Sequence, residues 1–176
     1  MNISVLHKLS AGMYIITSCK DGRFNGQVAD IVFQISSLPI LIAMAVNKKN
    51  LTHEYIHTSK LANISILDIE TPMKLIGQFG FKSGRDIDKF QGVTCKQGKN
   101  GVPIVLDHCT GYMESEVISE VDASTHTMFI AKVVEAELLS DMEPMTYAYY
   151  HKIKGGKLQA NAPGYIPPGE VKNPAK

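Results

Sequence analysis

Four short stretches of this sequence carry side chains that can hold a ligand or move a proton. The first is Asn47-Lys48-Lys49-Asn50-Leu51-Thr52-His53. Asn50 is a good helix N-cap, and Thr52 falls in the first turn. A helix start offers N–H groups that the helix cannot pair and the positive end of its dipole, so it suits a phosphate. Lys48 and Lys49 add charge, and Thr52 adds a hydroxyl donor. The same residues also describe an ordinary capped helix with two solvated lysines. The second stretch is Lys82-Ser83-Gly84-Arg85-Asp86, running on to Asp88-Lys89-Phe90. Gly84 lets backbone approach a ligand, and Arg85 can grip a phosphate with paired donors. Read as a plain surface loop, it pairs Arg85 with Asp86 or Asp88. The third is Asn25-Gly26-Gln27-Val28-Ala29-Asp30. Asn-Gly is first a hairpin-turn signal, and the amides there can also bind the edge of a heterocycle. The fourth is Asp122-Ala123-Ser124-Thr125-His126-Thr127. His126 suits a proton donor or polar contact, or a structural histidine beside a strand. The six histidines form no H-E-x-x-H or similar pattern, so no metal is assigned.

These stretches need elements to position them. Met13 to Thr17 and the apolar runs Val28 to Ile35 and Ile40 to Val46 read as strands, with a turn at Lys20 to Arg23. Leu51 to Ser59 has helical spacing. Leu61 to Leu67 returns to a strand pattern, and Thr71-Pro72 starts a second helix that Gly80 ends. Ser83 to Phe90 is a polar loop or a short turn of helix. Val102 to Leu106 is a short strand. Tyr112 to Val121 alternates, with Glu114, Glu116 and Glu120 on a solvated face, and Thr127 to Leu139 is another strand. Six or seven short strands with two small helices predict a closed β-barrel rather than an alternating βαβ fold. There is no G-x-G-x-x-G and no P-loop. We expect one domain over 1–160, and a Pro/Gly-rich arm or tail over 161–176.

The totals narrow the function. A net charge of +1 argues against a partner held by broad neutralisation of nucleic-acid phosphates. Cys19, Cys95 and Cys109 are odd in number and widely spaced, so neither a disulfide framework nor a structural zinc site is expected. The N-terminus has no signal-peptide pattern, and the longest apolar stretch, Leu38 to Val46, contains Pro39 and is too short to span a membrane. A cytoplasmic location is the expectation.

In their order along the chain, these segments resemble the flavin reductase-like family of FMN-binding split β-barrels. The resemblance runs from about Leu6 to about Tyr165 through LSAGMYIITS, NGQVADIVFQISSLP, ILIAMAV, NKKNLTHEYI, FGFKSGRDIDKFQG and VDASTHTMFIAKVVEAELL. The segment PMTYAYYHKIKGGKLQANAPGY is similar to the branch of flavoredoxins and the flavin domains of high-molecular-weight rubredoxins. The resemblance implies a mainly β, Greek-key-like split barrel with a few short helices. It implies a homodimer binding FMN, with FAD used by some relatives, and electron flow from NAD(P)H through flavin to an acceptor. Carried over by motif, Asn25, Gly26, Gln27, Val28, Ala29 and Asp30 line the ring and ribityl chain. Lys48, Asn50, Leu51 and Thr52 surround the phosphate. Ser83, Gly84, Arg85 and Lys89 close over it, and His126 lies near the exposed ring face, where nicotinamide docks. The alternative is a flavoredoxin-like electron carrier reduced by a protein partner. This chain lacks the paired-cysteine motifs that follow the barrel in rubredoxin-bearing relatives, so a rubredoxin would be a separate partner. It also has Asp30 where Asn is common, and a carboxylate facing an electron-rich reduced flavin is unfavourable.

Overall fold

A computed structural model describes residues 3–158 and 160–165. After a 3₁₀ turn at Ile3–Lys8 come β1 (Tyr14–Lys20), β2 (Arg23–Ala29), β3 (Val32–Ser37) and β4 (Ile40–Asn47). Helix α1 (Leu51–Ser59), β5 (Leu61–Leu67) and α2 (Met73–Gly80) follow, then β6 (Cys95–Gln97) and β7 (Pro103–Val105). The long strands β8 (Cys109–Ala123) and β9 (His126–Leu138) and helix α3 (Tyr147–Lys152) complete the order. Seven strands form one antiparallel sheet, β2-β1-β5-β8-β9-β4-β3, and β6-β7 make a separate hairpin.

This strand order forces closure. β2 and β3 are the two edges of the seven-stranded sheet, yet only Asp30 and Ile31 separate them in sequence. Laid flat, the edges would stand about 29 Å apart. A link this short spans only about 10 Å, so the sheet must curl until its edges meet. The Ala45 N–H donates to the Ile31 carbonyl at 3.1 Å, which extends the β3–β4 ladder into that link. The mainly β split barrel is therefore what this chain forms.

Curling gives the barrel an inside and an outside, and both are covered. Ile16, Ile42, Met44, Val46, Ile56, Ile64 and Phe129 fill the interior. Ile15, Val28, Leu67, Ile76, Phe79 and Tyr150 form a second core beneath α2 and α3. Neighbouring Ile15 and Ile16 thus serve opposite faces of β1, which explains its unbroken apolar run. Burial of each such side chain contributes about 1.5–3 kcal/mol.

Several expectations are corrected. Val28 to Ile35 is not one strand; it breaks at Asp30 because its two halves belong to opposite sheet edges. Asn25-Gly26 is not a turn. Both lie inside β2, where Gly26 faces Thr17, and the turn falls at Asp21-Gly22, both with positive φ (50° and 72°). The alternation of Tyr112 to Val121 is broken by bulges between Glu114 and Ser115 and between Val117 and Ser119. Glu114 is consequently buried instead of solvated. Among the described residues there are nine strands and a third α-helix, against the six or seven strands and two helices expected. The expected tail falls partly outside the described residues; within them, 161–163 line a cavity of the barrel. No helix among the described residues is long and apolar enough to cross a membrane.

Candidate functional site

Three elements that are distant in sequence enclose a cavity of about 400 Å³. Strand β2 supplies Asn25 and Gln27. The start of α1 supplies Lys49, Asn50, Leu51 and Thr52. The loop after α2 supplies Ser83, Gly84, Arg85 and Lys89. The volume lies in the roughly 300–1,000 Å³ range of small-molecule sites.

Hydrogen bonds lock these elements to one another. The buried Asn25 donates through Nδ2 to Thr52 Oγ1 at 2.8 Å. Gly84 packs on the other side of the same amide, and a Cβ there would overlap Asn25 Oδ1. Glycine at 84 is thus required by a close approach, not by an unusual backbone angle. Asn50 occupies the N-cap position of α1, but its side chain makes no cap bond. Its Nδ2 instead donates to Gln27 Oε1 at 3.0 Å. The turn into the helix is organised by Asn47, whose Oδ1 accepts from the Lys49 N–H at 3.0 Å.

The cavity is strongly cationic. Lys49, Lys82, Arg85 and Lys89 line it, and no carboxylate does so among the described residues. Lys89 is buried and donates through Nζ to the Gly26 carbonyl at 2.8 Å and the Phe79 carbonyl at 2.9 Å. Desolvation lowers its pKa to about 8. Gly26 thus acts from behind the wall, as a carbonyl partner of Lys89. The Arg85 guanidinium pairs with Glu54, not with Asp86 or Asp88. Both members of that pair are exposed, so it is weak and easily exchanged for another anion. Lys48 is placed differently from expectation. It lies outside the cavity and pairs with Asp122 at 2.7 Å, and Lys49 takes the wall position.

A second, smaller cavity of about 30 Å³ adjoins the first, sharing Gln27, Asn50 and Asn161 as walls. Val28, Ala29, Asp30, His126, Tyr147 and Tyr150 line it. His126 is buried. Its Nε2 lies 3.2 Å from the Asn161 carbonyl, and its Nδ1 lies 2.8 Å from Thr125 Oγ1. A carbonyl can only accept, so Nε2 carries the proton and the Thr125 hydroxyl donates to Nδ1 in the neutral ring. Burial raises the Asp30 carboxyl above the ordinary aspartate range.

Leu158, Ala160 and Asn161 complete the walls, and the sequence reading did not find them. The Asn161 carbonyl also accepts from Asn47 Nδ2 at 3.3 Å, and its Nδ2 donates to Asn50 Oδ1 at 2.9 Å. Asn161, the first residue of the expected tail, therefore bridges both cavities. No periodicity marks this segment; its sequence signals are the polar amides around Asn161 and the branch resemblance of PMTYAYYHKIKGGKLQANAPGY, and neither assigned it to the site. Tyr147 and Tyr150, on the short α3, were missed for the same reason.

The wall composition fits a ligand with an anionic end and a flat polar heterocycle. The cationic cavity suits the first, and the amides of Asn25, Gln27 and Asn50 beside the apolar Val28 and Ala29 suit the second. Comparison with known proteins agrees. The model of the flavin reductase like domain matches residues 6–155. The high molecular weight rubredoxin of Moorella thermoacetica is 50% identical over 165 residues, covering 94% of this chain and 72% of that protein. The ferric-chelate reductase (NAD(P)H) of Archaeoglobus fulgidus is 44% identical over 166 residues, covering 94% of this chain and 98% of that protein. The NADH:FAD oxidoreductase SgcE6 of Streptomyces globisporus C-1027 shares the fold with a TM-score of 0.71 at 20% identity, over 81% of this chain and 78% of that one.

Proposed function

The chain belongs to the flavin reductase-like family, is a flavin-dependent oxidoreductase, and on that premise we propose that it holds FMN in the larger cavity and passes electrons from NAD(P)H to an acceptor. The observation that carries the FMN assignment is a cavity with four lining cations and no carboxylate among the described residues. A terminal phosphate dianion is the part of a flavin that such a wall recognises. FAD, with its phosphates bridged to an adenosine, is the less favoured occupant.

A bound flavin supplies the hydride-accepting and electron-storing chemistry. The protein's own residues supply position. Lys49, Arg85 and Lys89 hold the phosphate charge, with Thr52, Ser83 and the first-turn N–H groups of α1 as further donors. Asn25 and Gly84 fix the loop after α2 against β2. The Gln27–Asn50 amide pair stands at the junction of the two cavities and meets the polar edge of the ring. His126, with Nε2–H held by Asn161, marks where the nicotinamide approaches. The segment reaching Asn161 excludes water from that junction.

We further propose a homodimer. Phe33, Ile35 and Ile40 on the β3–β4 hairpin are apolar and exposed, as are Ile118, Val121 and Val134 on β8 and β9. Apolar surface of this kind marks an interaction face. The acceptor we propose is a redox centre of rubredoxin type, in keeping with the name of the relative that is a high molecular weight rubredoxin. That relative also favours a second reading, in which the chain is an electron carrier charged by a protein partner and not by nicotinamide.

The cradle is tested by measuring FMN and riboflavin affinities of Thr52→Ala combined with Arg85→Ala. FMN binding is expected to weaken at least tenfold, about 1.4 kcal/mol, with riboflavin little changed. Equal weakening of both flavins would remove the phosphate assignment.

A further inference from the structure

The small cavity holds an acidic group that phosphate binding does not use. Asp30 sits in the two-residue link between β2 and β3, where barrel closure fixes the backbone on both sides. It lines the cavity with His126, Tyr147, Tyr150 and Lys157. Among the described residues Asp30 forms no ion pair within salt-bridge distance. Burial disfavours its charged form, and the backbone amides of Asp30 and Ile31 and the imidazoles of His126 and His151 act in the opposite sense. Nearby, His151 Nδ1 is held 2.7 Å from the Gly156 carbonyl, so it carries a proton, while its Nε2 is buried without a partner. Tyr147 meets His151 edge-on at 4.5 Å, and its phenol is pushed well above its ordinary range by burial and then by Asp30. A cluster of titratable groups thus faces one cavity with no strong base paired to its acid.

We propose that Asp30 is the proton-holding residue of the site, gaining a proton when the neighbouring flavin is reduced and releasing it on reoxidation. This rests on the flavin reading above. With flavin bound, hydride transfer from the nicotinamide would add two electrons and one proton and leave the site more negative by one charge. A solvent proton then forms an O–H bond on the Asp30 carboxylate, and the net charge of the site is unchanged. An unprotonated carboxylate would repel the added electrons; a neutral carboxyl can donate a hydrogen bond to them. The same device makes reduction depend on pH through a group that the flavin itself does not supply.

The test is the pH dependence of the flavin midpoint potential in the FMN-loaded wild type and in Asp30→Asn. Flavin loading is measured first. A protein that takes up no flavin defeats the flavin reading and this inference with it. With flavin bound, the wild type is expected to show a steeper slope than Asp30→Asn between the two carboxyl pKa values. The difference is tenfold in the reduction equilibrium per pH unit, about 30 mV for a two-electron couple. The reduced-minus-oxidised infrared spectrum of the wild type is expected to gain a protonated-carboxyl stretch. That signal decides the matter if Asp30→Asn does not fold. Equal slopes in the two proteins, no new carboxyl stretch, or loss of the extra proton in His151→Gln with its retention in Asp30→Asn would overturn the assignment.

Discussion

At the scale of single residues, two neighbours of the phosphate region make opposite demands. Gly84 is needed because Asn25 Oδ1 stands where a side chain would begin. Gly84→Ala is expected to push Asn25 off Thr52 and weaken FMN at least tenfold. Chemical unfolding should shift by only about 1 kcal/mol, because the loop after α2 adds little core. Titration of the purified variant with FMN, beside its urea curve, checks both. Lys89 is needed as a cation in a place that disfavours cations. Its pKa is about 8 in the folded chain, against 10.5 ordinarily. Between those values the folded state binds fewer protons than the unfolded state. The stability this confers is fully present above about 10.5 and is lost as pH falls through about 8. A phosphate reverses the preference, so binding above pH 8 must draw in a proton. FMN affinity is expected to fall as pH rises past about 8, by up to about tenfold per unit. Riboflavin affinity should not follow, and Lys89→Met should abolish the difference. Calorimetry in buffers of different ionisation enthalpy measures that proton directly.

At the scale of elements, the site is a meeting of one strand, one helix start and two irregular segments. β2 and α1 are held by the barrel, and their contributions to the site were legible in the sequence. Asn25, Asn50 and Thr52 were singled out by residue type together with the family resemblance, and all three line the cavity. Which lysine faces inward was not legible. Lys48 and Lys49 are adjacent, and the turn set by Asn47 sends one to Asp122 and the other to the cavity. The segment after α3 was illegible for a different reason. Nothing local gives it order; its position depends on Asn47, Asn50 and His126, more than a hundred, or some tens, of residues earlier in the chain. Ending the chain after Gly156 removes the Leu158, Ala160 and Asn161 walls while leaving α3 intact. Release of bound FMN, followed by recovery of flavin fluorescence, is expected to quicken about tenfold or more, an effect of lost exclusion rather than lost charge. An unchanged release rate would mean that this segment does not wall the site in solution.

At the scale of the whole molecule, closure is what makes the site. A two-residue link between opposite sheet edges cannot be read from strand propensity, because it is a property of strand order. The barrel class was nevertheless legible, since strands of this number and length without βαβ alternation have few ways to hide both edges. Closure places Asp30, at the link, in the same small cavity as His126, at the start of β9. The three cysteines take no part in this. Cys95 and Cys109 are pushed by burial up to about 11 and about 12, which leaves them poor nucleophiles at neutral pH. The proposed route for electrons accordingly uses the flavin and no thiol pair. The most direct measurement is the absorbance spectrum of the FMN-loaded protein, titrated without oxygen by NADH and, separately, by NADPH. The expected result is bleaching of the bound flavin by at least one nicotinamide, with the colour restored when an acceptor is added. A bound flavin that neither nicotinamide bleaches would contradict the proposed direction of electron flow.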